Sequence, residues 1–264
     1  MDTLHDGSGN SVRILRALLV VAVIVVLATI ACNRYPDLRT HPVHGITQVA
    51  KRLAGQHEEQ INTRTTTSRD DPHIADLLGQ VRVVDTVPTI AGYQRSCATN
   101  SACVFGPAWT DDTTAALSRN GCDTRNDILR QQLSNVQTKP GTHGCKVIAG
   151  QLDPDPYTGR PITLAHHGSV STITIDHIFA LERAWNLGAS TWPLPQRETF
   201  ANDPRNLLAV DAPTNSSKGA QGISDWLPPN TNYDCTYITR YLEVAAAYHL
   251  PITTADRNTA EHTC

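Results

Sequence analysis

The chain has few aromatic residues and no concentration of basic ones. Among its 264 residues there are three Phe and four Trp, and the formal net charge is -3 at pH 7. An aromatic platform on which bases could stack is therefore not evident. Without a basic stripe, any contact with a polyanion is expected to be local, weak, salt-sensitive and largely independent of sequence.

Zinc-ligand patterns are also missing from the chain. Cysteine pairs of the zinc-binding type do not occur, and the region after residue 74 contains no His-x-x-x-His or similar spacing. A zinc hydrolase acting on cell-wall peptides or esters needs three strong ligands and an open coordination position. That class of enzyme is disfavoured. No internal repeat is present.

The N-terminus carries an export signal. Arg13 and Arg16 precede a run of 16 apolar or small residues at 17–32, too short for a typical membrane-spanning helix but suited to a signal peptide. Residues 1–32 are therefore predicted to be a signal peptide or a membrane anchor. The sequence Leu27-Ala-Thr-Ile-Ala-Cys32 resembles a lipobox, although Thr29 replaces an aliphatic residue. A lipoprotein lipidated at Cys32, a cleaved secreted protein and an uncleaved anchor all remain open.

Six further cysteines agree with an oxidising compartment. An even number of cysteines in an exported chain predicts three disulfides, although six cysteines permit 15 pairings. Pairing neighbours along the chain is favoured. The favoured pairs are Cys97 with Cys103, Cys122 with Cys145, and Cys235 with Cys264.

The remaining chain divides into a tether and one domain. Residues 33–74 are polar and poor in apolar side chains, which predicts a linker, with a possible helix at 46–60. Residues 75–264 are long enough for one α+β domain with a sizeable core. Helices are predicted at 125–133, 178–187, 195–201, 237–250 and 253–264, and strands within 146–164 around a turn at 155–159.

An Asp-His pair stands at the end of a predicted strand. Residues 171–177 alternate β-branched and polar side chains, a pattern typical of a half-buried strand that ends in Asp176 and His177. Neighbouring strand residues point to opposite faces, so one side chain is expected to bind a cation while the other faces a substrate. Hydrolysis of a phosphodiester needs both duties.

A strand, a turn and a helix follow. Residues 206–210 predict a short apolar strand that begins at Asn206, Asp211 can cap a helix, and Pro213 suits its first turn. Asn215 and Lys218 lie three residues apart on that helix and therefore share one face.

This order of motifs resembles the ββα-metal (His-Me finger) or HNH endonucleases. Within them it is most similar to the C-terminal nuclease domain of GmrSD-type restriction enzymes, in a branch that recurs in exported actinobacterial proteins. The resemblance covers roughly residues 80–240 and implies an α+β fold with a ββα-metal core at about 144–220, additional helices and disulfides. Its supporting stretches are Gly106-Pro-Ala-Trp-Thr110, Gly121-Cys-Asp-Thr-Arg-Asn-Asp-Ile-Leu129, Asp155-Pro-Tyr-Thr-Gly159, Ala201-Asn-Asp-Pro-Arg-Asn-Leu-Leu-Ala-Val-Asp211 and Asp225-Trp-Leu-Pro-Pro-Asn230.

The resemblance implies an endonuclease that hydrolyses DNA without sequence specificity, with RNA as an open alternative. His177 is expected to be the general base, and Asp176 with Asn215 to bind one divalent cation. Many relatives have a histidine where this chain has Asn215, and a proline where it has Ala180. An amide oxygen is a hard ligand, which favours Mg²⁺ or Mn²⁺.

The remaining expectations also follow from the resemblance. Asn206 is expected to support the loop that orients His177, Lys218 to contact the phosphate, and Arg125 to bind phosphate in a bidentate manner. Expected partners are a nucleic acid and, if the N-terminus is not cleaved, a membrane; no obligate protein partner is evident. The alternative is a catalytically degenerate HNH fold that serves as a binding or structural module at the cell surface.

Overall fold

The computed structural model describes residues 72–167 and 170–264, with side chains left undescribed at 166–170. The predicted signal segment, Cys32, the polar linker up to residue 71 and the possible helix at 46–60 lie outside the described residues. Within the described ranges, no helix has both the length and the apolar character needed to cross a bilayer. The described residues belong to one compact unit.

This unit combines helices with short strands in an α+β arrangement. Its helices are α1 (Pro72–Gln80), α2 (Thr124–Gln132), α3 (Leu181–Asn186), α4 (Leu194–Ala201), α5 (Ala212–Lys218), α6 (Asp234–Ala247) and α7 (Thr254–Thr263). Its strands are β1 (Val83–Val84), β2 (Ser134–Thr138), β3 (Val147–Leu152), β4 (Ile162–Thr163), β5 (His166–His167), β6 (Val170–Ser171), β7 (Ile173–His177), β8 (Leu207–Asp211) and β9 (Ile252–Thr253). Each helix predicted after residue 74 is present, with its ends displaced by a few residues.

The strands pair in four small groups. β2, β3 and β4 form an antiparallel sheet in that order, β5 pairs with β6, β7 pairs antiparallel with β8, and β1 lies parallel to β9. The short parallel pair joins the two ends of the described domain, because β1 follows α1 and β9 precedes α7.

β7, β8 and α5 form the strand-strand-helix unit that carries the predicted site. His177 pairs with Leu207 at one end of the β7–β8 ladder and Ile173 with Asp211 at the other. The side chain of Asp211 accepts a hydrogen bond from the Thr214 amide at 2.9 Å and so caps α5. The capped turn was predicted, whereas Asn206 lies in a 3₁₀ turn just before β8.

The apolar run in β8 is explained by burial on both faces. Leu207 and Ala209 pack into a smaller core with α2 and β3, whereas Leu208 and Val210 pack into the larger core formed mainly by helices. Side chains alternate between faces along a strand, so β8 separates the two cores. The end of β7 is thereby held in a rigid position.

Three disulfides brace the domain. The structure pairs Cys97 with Cys103, Cys122 with Cys145, and Cys235 with Cys264. These are the pairs favoured on the sequence. The middle bridge joins the start of α2 to the approach to β3, and the last one joins α6 to the C-terminus. Disulfides of this number fit an oxidising compartment.

Candidate active site

One cleft collects the predicted catalytic and metal-binding side chains. Asp176 and His177 from the end of β7 and Asn215 from α5 line a cavity of about 280 Å³. Tyr93 and Arg95, from a segment well before the strand-strand-helix unit, line the same cavity. The fold therefore brings residues from three separated parts of the chain to one place.

Asp176 is held by a buried ion pair and a buried hydroxyl. The Nζ atom of Lys218 lies 2.9 Å from Asp176 Oδ1 and donates a second hydrogen bond, at 2.8 Å, to the carbonyl oxygen of His177. The hydroxyl of Tyr157 donates to Asp176 Oδ2 at 2.5 Å. Burial, together with the charge of Asp176, raises the pKa of Tyr157 well above its usual value, so the hydroxyl stays protonated.

Lys218 does not line the cleft, so its side chain is not placed to bind a phosphate there. Its side chain is 0% exposed, and a buried ammonium requires a charged partner and hydrogen-bond acceptors. Asp176 and the His177 carbonyl supply both. The prediction of a phosphate contact from Lys218 is therefore corrected: this lysine positions the carboxylate and the end of β7.

His177 is buried, oriented and neutral. Its ring stacks on Trp109 with centroids 5.6 Å apart, and its Nε2 lies 2.9 Å from the carbonyl oxygen of Ala201. Burial, followed by the charge of Arg95, lowers the pKa of His177 to about 3. Because a carbonyl only accepts hydrogen bonds, Nε2 carries the proton and Nδ1 keeps its lone pair.

Asn206 stabilises the chain that follows His177. Its side-chain Oδ1 accepts from the Phe179 amide at 2.7 Å, and its Nδ2 donates to the Phe179 carbonyl at 3.2 Å. Its own carbonyl accepts from the Ile178 amide at 2.9 Å. Asn206 is fully buried and does not line the cleft. It is placed as a positioning residue, with no direct access to a substrate.

Arg125 lies outside the cleft. It occupies the first turn of α2, whose first amide, from Thr124, donates to the carbonyl of Trp109. Burial lowers the pKa of Arg125, although Asp123 partly opposes this effect. Arg125 lines neither of the two cavities beside His177, so its phosphate contact stays a prediction.

Several site residues were not identified on the sequence. Tyr157 and Trp109 stand within stretches that supported the resemblance, so the sequence held a signal for them without indicating a role. Arg95 stands close to a predicted disulfide and carried no other signal. The sequence held no signal for the Ala201 carbonyl, because every residue has a backbone acceptor whatever its side chain.

The cleft offers ligands suited to one hard cation. Each oxygen of the Asp176 carboxylate accepts one hydrogen bond and has a further lone pair. The side-chain amide of Asn215 forms no hydrogen bond within residues 72–167 and 170–264. No cluster of three His, Cys, Asp or Glu side chains that could hold a metal occurs in those ranges. One carboxylate and one amide fit a cation that keeps most of its water, as Mg²⁺ does.

Comparisons with known proteins give a family and one relative. The sequence model described as "GmrSD restriction endonucleases, C-terminal domain" matches residues 123–259. An "Uncharacterized secreted protein" of Arthroderma benhamiae is 37% identical over 139 residues, which are 52% of this chain and 64% of that protein. The match thus spans less than two thirds of the relative's length. No solved structure matches the chain.

Proposed function

Because the chain belongs to the family of GmrSD restriction endonuclease C-terminal domains, we propose that it is an exported endonuclease that hydrolyses phosphodiester bonds in DNA. Its proposed cofactor is one divalent cation, Mg²⁺ or Mn²⁺. The strand-strand-helix unit of β7, β8 and α5 is proposed to be the ββα-metal core. The observation that carries the proposal is His177, held neutral beside a carboxylate in a cleft open to solvent.

His177 is proposed to act as the general base through Nδ1. The Ala201 carbonyl fixes the protonated Nε2, and Trp109 fixes the plane of the ring, so the lone pair of Nδ1 keeps one direction. A bound phosphodiester places negative charge beside the imidazole, which raises the pKa of His177 toward the range useful at neutral pH. General-base catalysis of this type is typically worth roughly 10²- to 10⁴-fold in rate.

Asp176 and Asn215 are proposed to hold the cation. When bound, a divalent cation acts as a Lewis acid on the phosphate and offsets charge that develops on the leaving oxygen. Lys218 and Tyr157 keep the carboxylate of Asp176 in one orientation. Asn206 fixes the backbone that follows His177 through hydrogen bonds to Phe179. The side chains of Asp176 and His177 are thus both held by buried hydrogen bonds.

The protein is proposed to work outside the cytoplasm. Three disulfides suit that location, and the relative is described as secreted. Release into the medium, lipidation at Cys32 and retention of the N-terminal segment as an anchor are the three forms of export that the sequence permits. The proposed activity has no sequence specificity, because the chain lacks an evident base-reading element.

Cleavage of supercoiled plasmid tests this function. The full-length oxidised protein is incubated with plasmid in Mg²⁺ or Mn²⁺, with EDTA, and as the His177→Ala variant. His262→Ala is the matched control, because His262 is exposed on α7. Nicked and linear plasmid should form with metal and with the control variant, and should be lost in EDTA and in His177→Ala. Absence of cleavage by folded protein across metals and substrates, RNA included, would contradict the proposal.

One observation favours the alternative of a degenerate binding module. Both oxygens of Asp176 already accept hydrogen bonds, one of them from a buried ammonium, and the positive charge of Lys218 opposes a second cation nearby. Calorimetric titration with Mn²⁺ separates the two functions. The nuclease binds the ion and loses that binding in Asp176→Asn, whereas a degenerate module shows no binding that depends on Asp176.

A further inference from the structure

The segment that carries Arg95 is fixed in place ahead of the family domain. It lies before residue 123, where the family match begins. The Val104 amide donates to the Gln94 carbonyl at 3.0 Å, and the disulfide between Cys97 and Cys103 closes the loop between them. Arg95 therefore sits at the base of a closed loop whose two ends are hydrogen-bonded to each other.

Aromatic packing attaches this loop to the main core. Tyr93 and Phe105 flank the loop, with ring centroids 6.4 Å apart, and each packs against Trp185 at 6.4 and 6.5 Å. Phe105 also packs against the fully buried Phe200 at 6.1 Å. Such clusters contribute packing energy beyond simple burial, so the backbone of Arg95 is held relative to the cleft.

Arg95 reaches the reaction centre from that loop. It lines the 280 Å³ cleft together with Asp176, His177 and Asn215, and it also lines a second cavity of about 20 Å³, to whose wall His177 and Trp109 contribute. Within the described ranges, its guanidinium takes part in no hydrogen bond or ion pair. An unpaired guanidinium beside the proposed base has its donors available for a ligand.

The charges of the cleft favour such a cation. Asp176 and Glu182 both line the cavity, and an entering phosphodiester is itself an anion. Lys218 is engaged in its buried ion pair, and Arg125 does not line the cleft. Among the described residues, this leaves Arg95 as the unpaired cationic side chain at the cleft wall. Guanidinium groups bind phosphate oxygens through two parallel, charge-assisted hydrogen bonds.

We propose that Arg95 binds the phosphodiester of the substrate, and that the disulfide-closed segment before the family domain thereby completes the active site. This inference rests on the proposed nuclease function and adds a substrate ligand to it. Arg95 touches the substrate in this account, so its loss should weaken binding and cleavage while the fold is retained, because the side chain is exposed.

Salt-dependent binding tests the inference separately from cleavage. Full-length protein is titrated against a short fluorescein-labelled single-stranded oligodeoxynucleotide in EDTA, over a series of KCl concentrations. Loss of one phosphate contact reduces the slope of log affinity against log salt by about 0.7. Arg95→Gln should show that reduction, and its kcat/KM on plasmid in Mg²⁺ should fall roughly 10- to 100-fold. Arg82→Gln, at an exposed arginine that lines neither cavity, is the matched control and should leave the slope unchanged. Arg125→Gln tests the phosphate contact predicted for Arg125.

The outcomes separate the inference from the function beneath it. A wild-type slope in Arg95→Gln, with normal binding by the wild type, would overturn the role of Arg95 and leave the nuclease intact. A reduced slope in Arg125→Gln alone would assign the contact to that residue instead. If the wild type binds no oligonucleotide and cleaves no plasmid, both the function and the inference are overturned.

Discussion

Two buried ion pairs, Lys218 with Asp176 and Arg183 with Asp256, differ in what remains available on the carboxylate. Asp256 Oδ2 accepts from Arg183 Nη2 at 2.5 Å and from the Thr253 amide at 3.0 Å, and its Oδ1 accepts from the Ser224 amide at 3.1 Å. Asp256 is fully buried, and the pair joins α3 to the start of α7. It has no access to a ligand.

The carboxylate of Asp176 accepts fewer hydrogen bonds than that of Asp256, and one side of it faces the cleft. Each oxygen of Asp176 accepts one hydrogen bond, and the residue lines the cleft beside His177 and Asn215. Both pairs contain a carboxylate, a buried cation and a tyrosine, yet only one of them faces solvent. Ion pairing thus fixes a fully enclosed carboxylate in one pair and orients a carboxylate that lines the cleft in the other.

The largest expected effect comes from removing the structural carboxylate. Asp256→Asn leaves the guanidinium of Arg183 buried without its charge partner, which should lower the free energy of unfolding by about 3–5 kcal/mol. Urea denaturation measures that loss. Replacing both partners, as Asp256→Asn with Arg183→Met, should recover most of it. Plasmid cleavage per folded molecule should stay at the wild-type level; a tenfold fall would remove the distinction between the pairs.

The corresponding change at the other pair should affect rate. Asp176→Asn combined with Lys218→Met removes both charges together, so no unpaired ion is left buried. Single-turnover cleavage should nevertheless fall roughly 100-fold or more, because a proposed cation ligand is lost. The rate is compared at equal concentrations of folded protein, established by circular dichroism. Cleavage within a few-fold of the wild type would show that Asp176 is structural, like Asp256.

The two tyrosines give a finer comparison. Tyr241 accepts a hydrogen bond from Arg183 Nε at 2.8 Å, so Tyr241→Phe leaves a buried donor unpaired and should destabilise the fold by about 1–3 kcal/mol without changing the cleavage rate. Tyr157→Phe removes one bond to Asp176, worth about 1 kcal/mol, and should slow cleavage roughly fivefold. Equal effects of Tyr241→Phe and Tyr157→Phe on the cleavage rate would contradict the distinction between the structural pair and the pair at the cleft.

The two pairs also differ in the pH range over which nearby groups affect stability. Below pH 6.5 the unfolded chain protonates His177, whereas the folded protein, with its pKa of about 3, does not. Stability should therefore be complete above pH 6.5 and fall by about 1.4 kcal/mol per pH unit from there toward pH 3. His177→Asn should flatten this dependence in urea denaturation measured between pH 7 and 4. An unchanged slope would contradict the neutral buried state of His177.

The Asp256 pair should respond in a different pH range. Burial alone raises the pKa of Asp256, but Arg183 and the hydrogen bonds from Thr253 and Ser224 bring it below its usual value. Its contribution to stability is present above the unfolded pKa of about 3.9 and is lost as pH falls further. The slope between pH 6.5 and 4 therefore reports on His177, with little contribution from Asp256.

Local signals were sufficient to predict the strand-strand-helix unit. Alternation ending at His177, the apolar run after Asn206 and the cap at Asp211 each act within a few residues, and each appears where expected. Asn206 itself lies in the turn rather than the strand, because its side chain bonds to Phe179. Strand ends depend on such tertiary bonds, which a local pattern does not contain.

Long-range contacts account for what the sequence could not provide. Lys218, at the end of a short helix, has the pattern of a solvated cation, and only the position of Asp176, which is 42 residues away, explains its burial. The Ala201 carbonyl and Arg95 reach His177 from distant segments for the same reason. A role that depends on packing between distant segments produces no characteristic spacing of residues in the sequence.

The claim that the cleft is a metal-dependent catalytic centre is tested most directly by anomalous diffraction from crystals of the wild-type protein soaked in Mn²⁺. We expect an anomalous peak with an oxygen of Asp176 and the side-chain oxygen of Asn215 at roughly 2 Å, beside Nδ1 of His177. A soaked crystal with Mn²⁺ bound elsewhere, and none within coordination distance of Asp176, would contradict it.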